Sequence, residues 1–387
     1  MATVDTHNPE WDHARLIGHI FARECGTEQV TLTQSIGRVL ADDVVALTNL
    51  PPAHTAMMDG FAVRGEGPWH IVGEVHAGQY AETIEPGTAL QVSTGAHIPA
   101  QTDMVLQEEN CTVTDDTVTG NLRNSKRNNV REPGDEARAG DLVAPAGTYV
   151  SPVVASLAAS AGHDDVTVYQ RPTASVIVTG DELLSEGHSR PGAIRDSLTM
   201  QIPSWAEYIG AATESVNRCM DDFDALLASV RSSTANIIVI TGGSAHGPRD
   251  FVRPVLTELG AQLLVDEVNS KPGHPAVLAL LPSGQFVANL PGNPLAAAVS
   301  FMTIVEPVVL KMTGRALPEL KTATLSEAVT SDVTRIMPVT LDHGTATPTE
   351  FRGSAMLRGL AHADAFAVVS AGTDVLTARL LNLPWQH

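Results

Sequence analysis

Apolar residues along this chain follow several rhythms, and each rhythm predicts a different kind of element. Residues 10–25 carry apolar side chains at helical spacing, which predicts an amphipathic helix. From Phe61 to about Val143, short apolar runs are separated by Gly and Pro, a pattern typical of a small β-rich module. Residues 151–162, SPVVASLAASAG, predict a capped, Ala-rich helix that ends at Gly162.

The rhythm changes after residue 173. Three runs are continuously apolar, as buried parallel strands require: 174–180, 236–243 and 275–282. Helical patterns lie between them, at about 197–210, 221–231 and 250–260. This alternation predicts a central three-layer α/β domain with a mostly parallel sheet. Short strand-like runs after Gly314 predict a small C-terminal β module, so the chain as a whole is a multidomain α/β and β protein.

Composition narrows the range of ligands and compartments. The 387 residues include 44 acidic and 24 basic side chains, for a formal charge of −20. Such a surface repels nucleic acid and anionic membranes, so a bound phosphate needs backbone N–H groups or a few local cations. The three cysteines are far apart, with no C-x-x-C motif, which argues against a disulfide framework. No signal peptide or apolar run long enough to span a membrane is evident, so we expect a cytoplasmic protein without membrane insertion.

The segment 290–301, LPGNPLAAAVSF, is the most informative stretch. Gly292 suits a tight turn, Asn293 an N-cap and Pro294 the first position of a helix. A strand, a turn and a helix N-terminus together direct N–H groups towards one point, as an anion site requires. An ordinary strand-to-helix turn explains the same residues equally well.

Other polar turns follow the predicted strands. TGDEL places Asp181 and Glu182 where carboxylates suit Mg²⁺ or a hydroxyl-bearing ligand, although they also suit capping of the next helix. TGGSAHGPRD is a Gly-rich turn that ends in Asp250 and matches neither the G-x-G-x-x-G nor the P-loop pattern. KPGHP supplies Lys271 and His274, where the histidine is either an oxyanion contact or a structural residue.

The segment HTAMMDGFAVR, at 54–64, has two interpretations. Its Asp59-Gly60 pair predicts a hairpin as readily as a functional turn.

Motifs for nucleophilic catalysis are absent from the sequence. It has no G-x-S-x-G, no H-E-x-x-H and no cysteine with an evident base partner. Nucleophilic catalysis by a side chain therefore has no support in the sequence.

Taken in order, these motifs resemble the molybdopterin molybdenumtransferase family, whose animal member is the C-terminal part of gephyrin. The resemblance rests on LPPAHTAMMDGFAVR, STGAHIPAQTDMVLQEE, REPGDEARAGDLVAPAG, TGDEL, the TGG turn with Asp250, KPGHP and LPGNPLAAAVSF. It implies an elongated homodimer whose α/β part binds adenylylated molybdopterin. The family uses Mg²⁺ and molybdate to release AMP and leave molybdenum on the pterin dithiolene.

The resemblance also implies a division into four subdomains. We expect an N-terminal helical, dimerisation subdomain from residues 1–45 and 144–172, and a β-rich lever subdomain from residues 46–143. The α/β subdomain that binds the pterin nucleotide then covers 173–315, and the C-terminal β subdomain covers 316–387. The first helix and the helix at 151–162 are the expected core of the dimer interface.

Site residues are carried over from the family motif by motif. The catalytic positions are Asp59, Thr94, Glu182, Asp221 and Asp250, with Glu182 and Asp250 as the Mg²⁺ ligands. The positions that bind the pterin nucleotide and molybdate are Asp196, Ser197, Gly242, Gly243, Ser244, Lys271, His274, Pro291, Gly292, Asn293 and Ser354.

This chain departs from the family pattern at several positions. A second Lys is replaced by His274, and a Ser by Ala296. Pro338 stands where the family has an Arg, although the alignment there is loose. Leu198 stands where the family has an Asn, and Ala56 where it has a Ser. A charged hydrogen bond contributes roughly 1.5–3 kcal/mol, so these losses predict a weakened hold on molybdate.

Two functional interpretations follow. The first is a working transferase with an altered oxyanion pocket, in which protonated His274 replaces a Lys and favours turnover at lower pH. The second is a gephyrin-like homodimeric scaffold with a degenerate molybdate site, which binds a peptide of a cytoskeletal or membrane-receptor partner. A molybdopterin-adenylylating enzyme fits the flanking modules less well. The retained carboxylates favour the transferase, while molybdate and tungstate are not distinguished.

Overall fold

The computed structural model describes residues 7–120, 128–243 and 250–386, and the chain forms two compact units. One unit combines Met1–Glu28 with Tyr169–His387, and the other is Gln29–Val168. The four-part division expected from the sequence stays a prediction.

A six-stranded sheet lies at the centre of the larger unit. Its strands, in spatial order, are Ala212–Cys219, Thr173–Thr179, Ile237–Thr241, Phe286–Leu290, Val277–Leu280 and Gln262–Asp266. The first four are parallel and the last two run antiparallel to their neighbours. The mostly parallel sheet is therefore confirmed, while the expectation that the run at 275–282 is a parallel strand is wrong. A connection of five residues joins Val277–Leu280 to Phe286–Leu290, and only antiparallel neighbours can be joined so briefly.

Both faces of this sheet are buried, as the continuous apolar runs require. Val176 and Val239 point into one core cluster, whereas their neighbours Ile177 and Ile240 point into another on the opposite face. Helices cover both faces and complete the predicted three layers. The helices of this unit are Trp11–Phe21, Leu198–Tyr208, Phe223–Ser232, Val252–Glu258, Pro294–Ser300 and Glu306–Met312, with a π-helical turn at Phe301–Val305 and 3₁₀ turns at Leu360–His362 and Pro384–Gln386.

The last two α-helices form one continuous helical run through the π-helical turn. Among the described residues, Pro294–Met312 is the one helix long and apolar enough to cross a membrane, and 94% of its apolar window is buried inside the protein. The N-terminal helix packs against this run, since Trp11, Ala14 and Ile17 belong to the same core cluster. The run is thus a core helix.

The small C-terminal β module was also predicted correctly. Its strands are Lys321–Ser331, Thr334–Asp342, Thr345–Pro348, Ala365–Val369 and Gly372–Leu381, with Ser270–Lys271 paired at one edge. The module closes because Thr334–Asp342 pairs with Ala365–Val369 as well as with Thr345–Pro348. Two further short strands of this unit, Leu183–Leu184 and Ile194–Arg195, form a separate two-stranded parallel sheet.

The second unit is rich in β structure, as expected. Its main sheet has the order Met104–Gln107, Gly60–Val63, Thr88–Val92, Trp69–Val75, Thr117–Gly120 and Cys111–Thr114. The remaining elements are the helices Leu32–Ser35 and Pro152–Ser160, a 3₁₀ turn at Glu108–Asn110, and the short strands Thr27–Thr31, Val44–Val45, Thr55–Ala56, Val130–Arg131, Leu142–Ala144 and Asp165–Tyr169. Ser151 caps the second helix through a bond from Val154 N of 3.2 Å.

The Asp59-Gly60 pair does not form the hairpin that the sequence suggested. The strand before it, Thr55–Ala56, pairs with Val130–Arg131, whereas Gly60–Val63 joins the main sheet. A Cβ atom at Gly60 would lie 1.8 Å from the carbonyl oxygen of Leu106, so glycine is required by a close backbone approach. The pair thus marks a passage between two sheets.

Candidate functional site

A cavity of about 890 Å³ opens at the carboxyl ends of the parallel strands. Three strands, Thr173–Thr179, Ile237–Thr241 and Phe286–Leu290, are parallel neighbours, so the turns that follow them meet at one edge. The cavity is lined by residues of these turns and of the segment that follows the first turn: Thr179, Gly180, Glu182, Leu183, Ile194, Arg195, Asp196, Ser197, Leu198, Asp221, Thr241, Gly242, Gly243, Asp250, Pro275, Pro291, Gly292, Asn293, Pro294 and Ala355.

Glycine is needed where two of these turns come together. Gly242 has a φ of 92°, and a Cβ there would lie 2.6 Å from Thr179 Oγ1. A Cβ at Gly292 would be 3.7 Å from the Cα of Gly242, so the backbones of the two turns are close neighbours. The TGG turn therefore provides bare backbone on the cavity wall, which a ligand can approach closely.

The carboxylates on the wall differ in how they are held. Asp221 and Asp181 cross-link their turns, since each backbone N–H faces the other's carboxylate, at 3.3 and 3.4 Å. Asp250 accepts a bond of 3.1 Å from Val252 N and another of 3.1 Å from Arg253 Nη1. Within the described ranges, no group of three or more His, Cys, Asp or Glu is arranged to hold a metal ion.

Arg253, which sequence reasoning missed, connects the wall to the KPGHP turn. Its guanidinium lies 2.8 Å from Asp266 and 3.9 Å from Glu267. Glu267 in turn lies 3.4 Å from His274 Nε2, while His274 Nδ1 is 2.9 Å from the carbonyl of Val268. His274 is therefore tied to its own turn.

Neither Lys271 nor His274 lines the cavity; the KPGHP turn contributes Pro275 instead. Lys271 lies in parallel register with Arg335 of the C-terminal module, so two cationic residues are neighbours across strands. No sequence signal pointed to Arg335, because its proximity depends on the pairing of the short strand Ser270–Lys271.

The LPGNP elbow differs from the expected anion site. The carbonyl of Ser354 accepts bonds from Leu295 N, at 3.0 Å, and from Ala296 N, at 3.1 Å. Asn293 occupies the N-cap position without a side-chain capping bond, and its amide lies 3.5 Å from Ser354 Oγ. The Leu295 and Ala296 N–H groups are thus already engaged and not open to an anion, while anion binding by the turn residues Gly292 and Asn293 stays a prediction.

The segment before helix Leu198–Tyr208 provides another part of the wall. Asp196 Oδ1 accepts bonds from Leu198 N, at 2.9 Å, and Thr199 N, at 3.1 Å, so its carboxylate caps the helix. Ser197 lines the cavity without a capping bond of its own. Leu198, where the family has Asn, is buried and makes this part of the wall apolar.

Three other predicted positions are not assigned to this cavity. Ser244 falls outside the described residues. Asp59 and Thr94 belong to the second unit, where the Asp59 carboxylate accepts bonds from Thr94 N, at 2.6 Å, and from Thr94 Oγ1, at 2.9 Å. These two bonds, the backbone bond above all, hold the pKa of Asp59 below its usual value. Of the other departures, Ala56 and Ala296 are buried side chains.

Three family models match the chain in succession. Residues 10–162 match the MoeA N-terminal region (domain I and II). Residues 175–311 match a probable molybdopterin binding domain, and residues 322–378 match the MoeA C-terminal region (domain IV). The matches follow one another along the chain in the order that the sequence motifs suggested.

Similar proteins agree with these models over nearly full lengths. A Staphylococcus epidermidis protein named molybdopterin molybdenumtransferase is 29% identical over 366 residues, covering 89% of this chain and 87% of the relative. A Staphylococcus aureus protein of the same name is 28% identical with the same coverage.

Solved structures show the same fold. A crystal structure of the molybdopterin biosynthesis MoeA protein from Pyrococcus horikoshii has a TM-score of 0.76 and 25% identity, covering 97% of this chain and 99% of that one. A second structure of a MoeA protein from this organism has a TM-score of 0.79 and 23% identity, covering 96% and 100%. The chain therefore belongs to the MoeA family, the enzyme family of the molybdopterin molybdenumtransferases.

Proposed function

We propose that this protein transfers molybdenum from molybdate to adenylylated molybdopterin and releases AMP. The observation that carries the proposal is the convergence of Glu182, Asp221 and Asp250 with the bare Gly242-Gly243 turn on one cavity. A nucleotide phosphate needs close backbone approach and the chemistry of its cleavage needs carboxylates, and this wall supplies both.

The cavity suits a pterin nucleotide in size and in the nature of its walls. Ligand pockets for small molecules commonly measure about 300–1,000 Å³ and have mostly apolar walls with a few polar groups. Here the volume is about 890 Å³, and Leu183, Ile194 and Leu198 provide apolar surface for ring systems. The polar turns lie on the same walls, so rings and phosphates can be held together.

The molybdate half of the site is the part in which this chain departs from its family. Lys271 and Ser354 are retained, whereas His274, Ala296 and Pro338 replace expected donors or cations. His274 Nε2 lies 3.4 Å from the Glu267 carboxylate, so the imidazole is held beside an acidic group. We infer a transferase that turns over but needs more molybdate than a member with both lysines.

Mg²⁺ belongs to the proposal through Glu182 and Asp250. The described carboxylates form no cluster of three ligands, but Mg²⁺ is commonly held by one or two carboxylates together with substrate phosphates. Glu182 and Asp250 provide two such carboxylates, and Asp250 would hold the ion with oxygens that also accept bonds from Val252 N and Arg253 Nη1. When bound, the ion would neutralise charge on the phosphates.

We further propose a cytoplasmic homodimer, as the family resemblance implies. The three cysteines Cys25, Cys111 and Cys219 are free, which suits a reducing compartment. Burial raises the pKa of each thiol, so they stay protonated and unreactive at neutral pH.

The decisive experiment measures AMP release by the purified protein from adenylylated molybdopterin, with Mg²⁺, over a wide range of molybdate concentrations. We expect saturable, molybdate-dependent release, and a parallel series with tungstate shows which oxyanion is preferred. No AMP release at any oxyanion concentration, from protein that is folded and binds the pterin nucleotide, would overturn the proposal. Such a result would leave the peptide-binding scaffold as the remaining interpretation.

A further inference from the structure

The cavity poses an electrostatic problem that the residues carried over from the family do not solve. Glu182, Asp196, Asp221 and Asp250 all line it, and the whole chain carries a formal charge of −20. An anionic ligand entering this cavity needs a positive group to offset that field. The N-terminus of helix Pro294–Ser300 does not provide one, because the Ser354 carbonyl occupies its Leu295 and Ala296 N–H groups.

Arg195 is the one basic residue on the cavity wall within the part of the chain that the structure describes. It lies on the short strand Ile194–Arg195, which pairs in parallel with Leu183–Leu184. Its position was not singled out by sequence reasoning, although it directly precedes Asp196.

The backbone around Arg195 is fixed on both sides. Ile194 N donates to the carbonyl of Glu182 at 2.9 Å, and Asp196 N donates to the carbonyl of Leu184 at 3.0 Å. Arg195 N itself donates to Ser189 Oγ at 3.0 Å. The side chain therefore projects from a well-anchored segment, directly connected to the TGDEL turn that carries Glu182.

The Arg195 guanidinium has no side-chain partner among the described residues. Across residues 7–120, 128–243 and 250–386, no side-chain hydrogen bond or ion pair of Arg195 is formed. Two nearby carboxylates are engaged elsewhere, because Asp196 caps a helix and Asp250 pairs with Arg253. A cation that makes no internal pair, on the wall of an acidic cavity, is available to a ligand.

We propose that Arg195 binds a phosphate of the adenylylated pterin, an assignment that rests on the function proposed above. The planar guanidinium donates two parallel N–H bonds to phosphate oxygens, a geometry that Gln cannot match and Lys matches only in charge. The residue thereby selects phosphorylated ligands over neutral nucleosides and compensates for the carboxylates around it.

The test compares AMP with adenosine as probes, by calorimetric titration of the full-length protein in the presence of Mg²⁺. Arg195→Gln should raise the Kd for AMP roughly tenfold or more and leave the Kd for adenosine unchanged, since one charged pair of bonds is lost. Arg195→Lys should fall between the two. Arg190→Gln is the matched control, because Arg190 is an exposed arginine of the same segment that does not line the cavity.

The outcomes separate this assignment from the proposed function. If the natural protein releases AMP in a molybdate-dependent reaction while Arg195→Gln binds AMP as the natural protein does, Arg195 is not a phosphate contact. If the natural protein shows no turnover but AMP binding still requires Arg195, the phosphate site stands and the transferase activity fails. Equal weakening of AMP and adenosine would also overturn the assignment, since it would indicate loss of the cavity's shape.

Discussion

Arg15 and Glu306 form an ion pair that is almost wholly buried. Arg15 Nη1 lies 2.6 Å from Glu306 Oε2, and the two side chains are 5% and 0% exposed. Arg15 also donates to the carbonyl of Met302 in the π-helical turn and lies over the Trp11 ring, 5.1 Å from its centroid. This pair fixes the N-terminal helix to the core helical run at the point where that run widens.

Removing one member of this pair should destabilise the larger unit strongly. Arg15→Leu removes the cation that lies 2.6 Å from the buried Glu306 carboxylate, and we expect a loss of about 3–5 kcal/mol in the free energy of unfolding. Urea unfolding followed by tryptophan fluorescence measures it. Arg231→Leu, which breaks the exposed pair with Glu258, is the control and should cost under about 1 kcal/mol. Similar losses in both variants would contradict the argument, and Arg15→Leu with Glu306→Leu should recover part of the loss.

The two hydrogen bonds that Thr94 donates to Asp59 predict a pH-dependent contribution to the stability of the folded protein. Because the pKa of Asp59 is lowered in the folded protein, its contribution to stability is present above the ordinary Asp range and disappears as the pH falls through the folded pKa. Thr94→Val removes the hydroxyl bond but keeps the larger contribution of Thr94 N, so the pKa should rise only part of the way. Carboxyl-carbon NMR titration measures the shift, with Thr94→Ser as the control that keeps the low pKa. An unchanged pKa in Thr94→Val would show that the hydroxyl bond has no effect.

Glu182→Gln should abolish AMP release while the protein stays folded. The side chain is on the cavity wall, and the amide removes its negative charge with little change in shape. AMP release is measured at saturating substrate, and circular dichroism checks the fold. Glu186→Gln, an exposed neighbour outside the cavity lining, should keep full activity. Normal AMP release by Glu182→Gln would exclude a catalytic role.

Restoring two lost donors should improve the use of molybdate. The double change His274→Lys and Ala296→Ser adds a permanent charge near Lys271 and a hydroxyl at the elbow, so the KM for molybdate should fall several-fold. The improvement should be modest, because Glu267 lies 3.4 Å from His274 and its carboxylate will partly neutralise the new positive charge. His343→Lys makes the same exchange at a side chain that is 97% exposed, and should change nothing. A KM unaffected by the double change would indicate that these positions do not contact the oxyanion.

The proposed homodimer can be tested at helix Pro152–Ser160. Val153 is 76% exposed although it is apolar, as expected of a residue covered by a second copy. Light scattering at micromolar concentration should give a dimer, and Val153→Glu should shift it towards monomer. Leu376→Glu, at an apolar side chain that is 51% exposed in the C-terminal module, should stay dimeric. A monomeric natural protein would refute the dimer itself.

Much of the architecture could be predicted from the sequence because it depends on local patterns. Continuous apolar runs indicated the strands Thr173–Thr179 and Ile237–Thr241, since a strand covered on both faces has no polar side. Turns after such strands must meet at one edge, so the sequence alone assigns Glu182, Gly242 and Gly292 to one site. Their residue types followed from backbone geometry and chemistry that a short segment carries by itself.

The tertiary structure decided which residues from distant parts of the chain contact one another. The strand Val277–Leu280 pairs antiparallel with Phe286–Leu290, and a continuous run of apolar residues does not encode the direction of a strand. The Ser354 carbonyl closes the helix N-terminus that had looked open, and Arg253 takes up the Asp250 carboxylate. Arg195 is a candidate phosphate contact only because the folded chain places it on the cavity wall. A sequence pattern shows which groups are available to a site, whereas the folded chain determines which of them are already engaged.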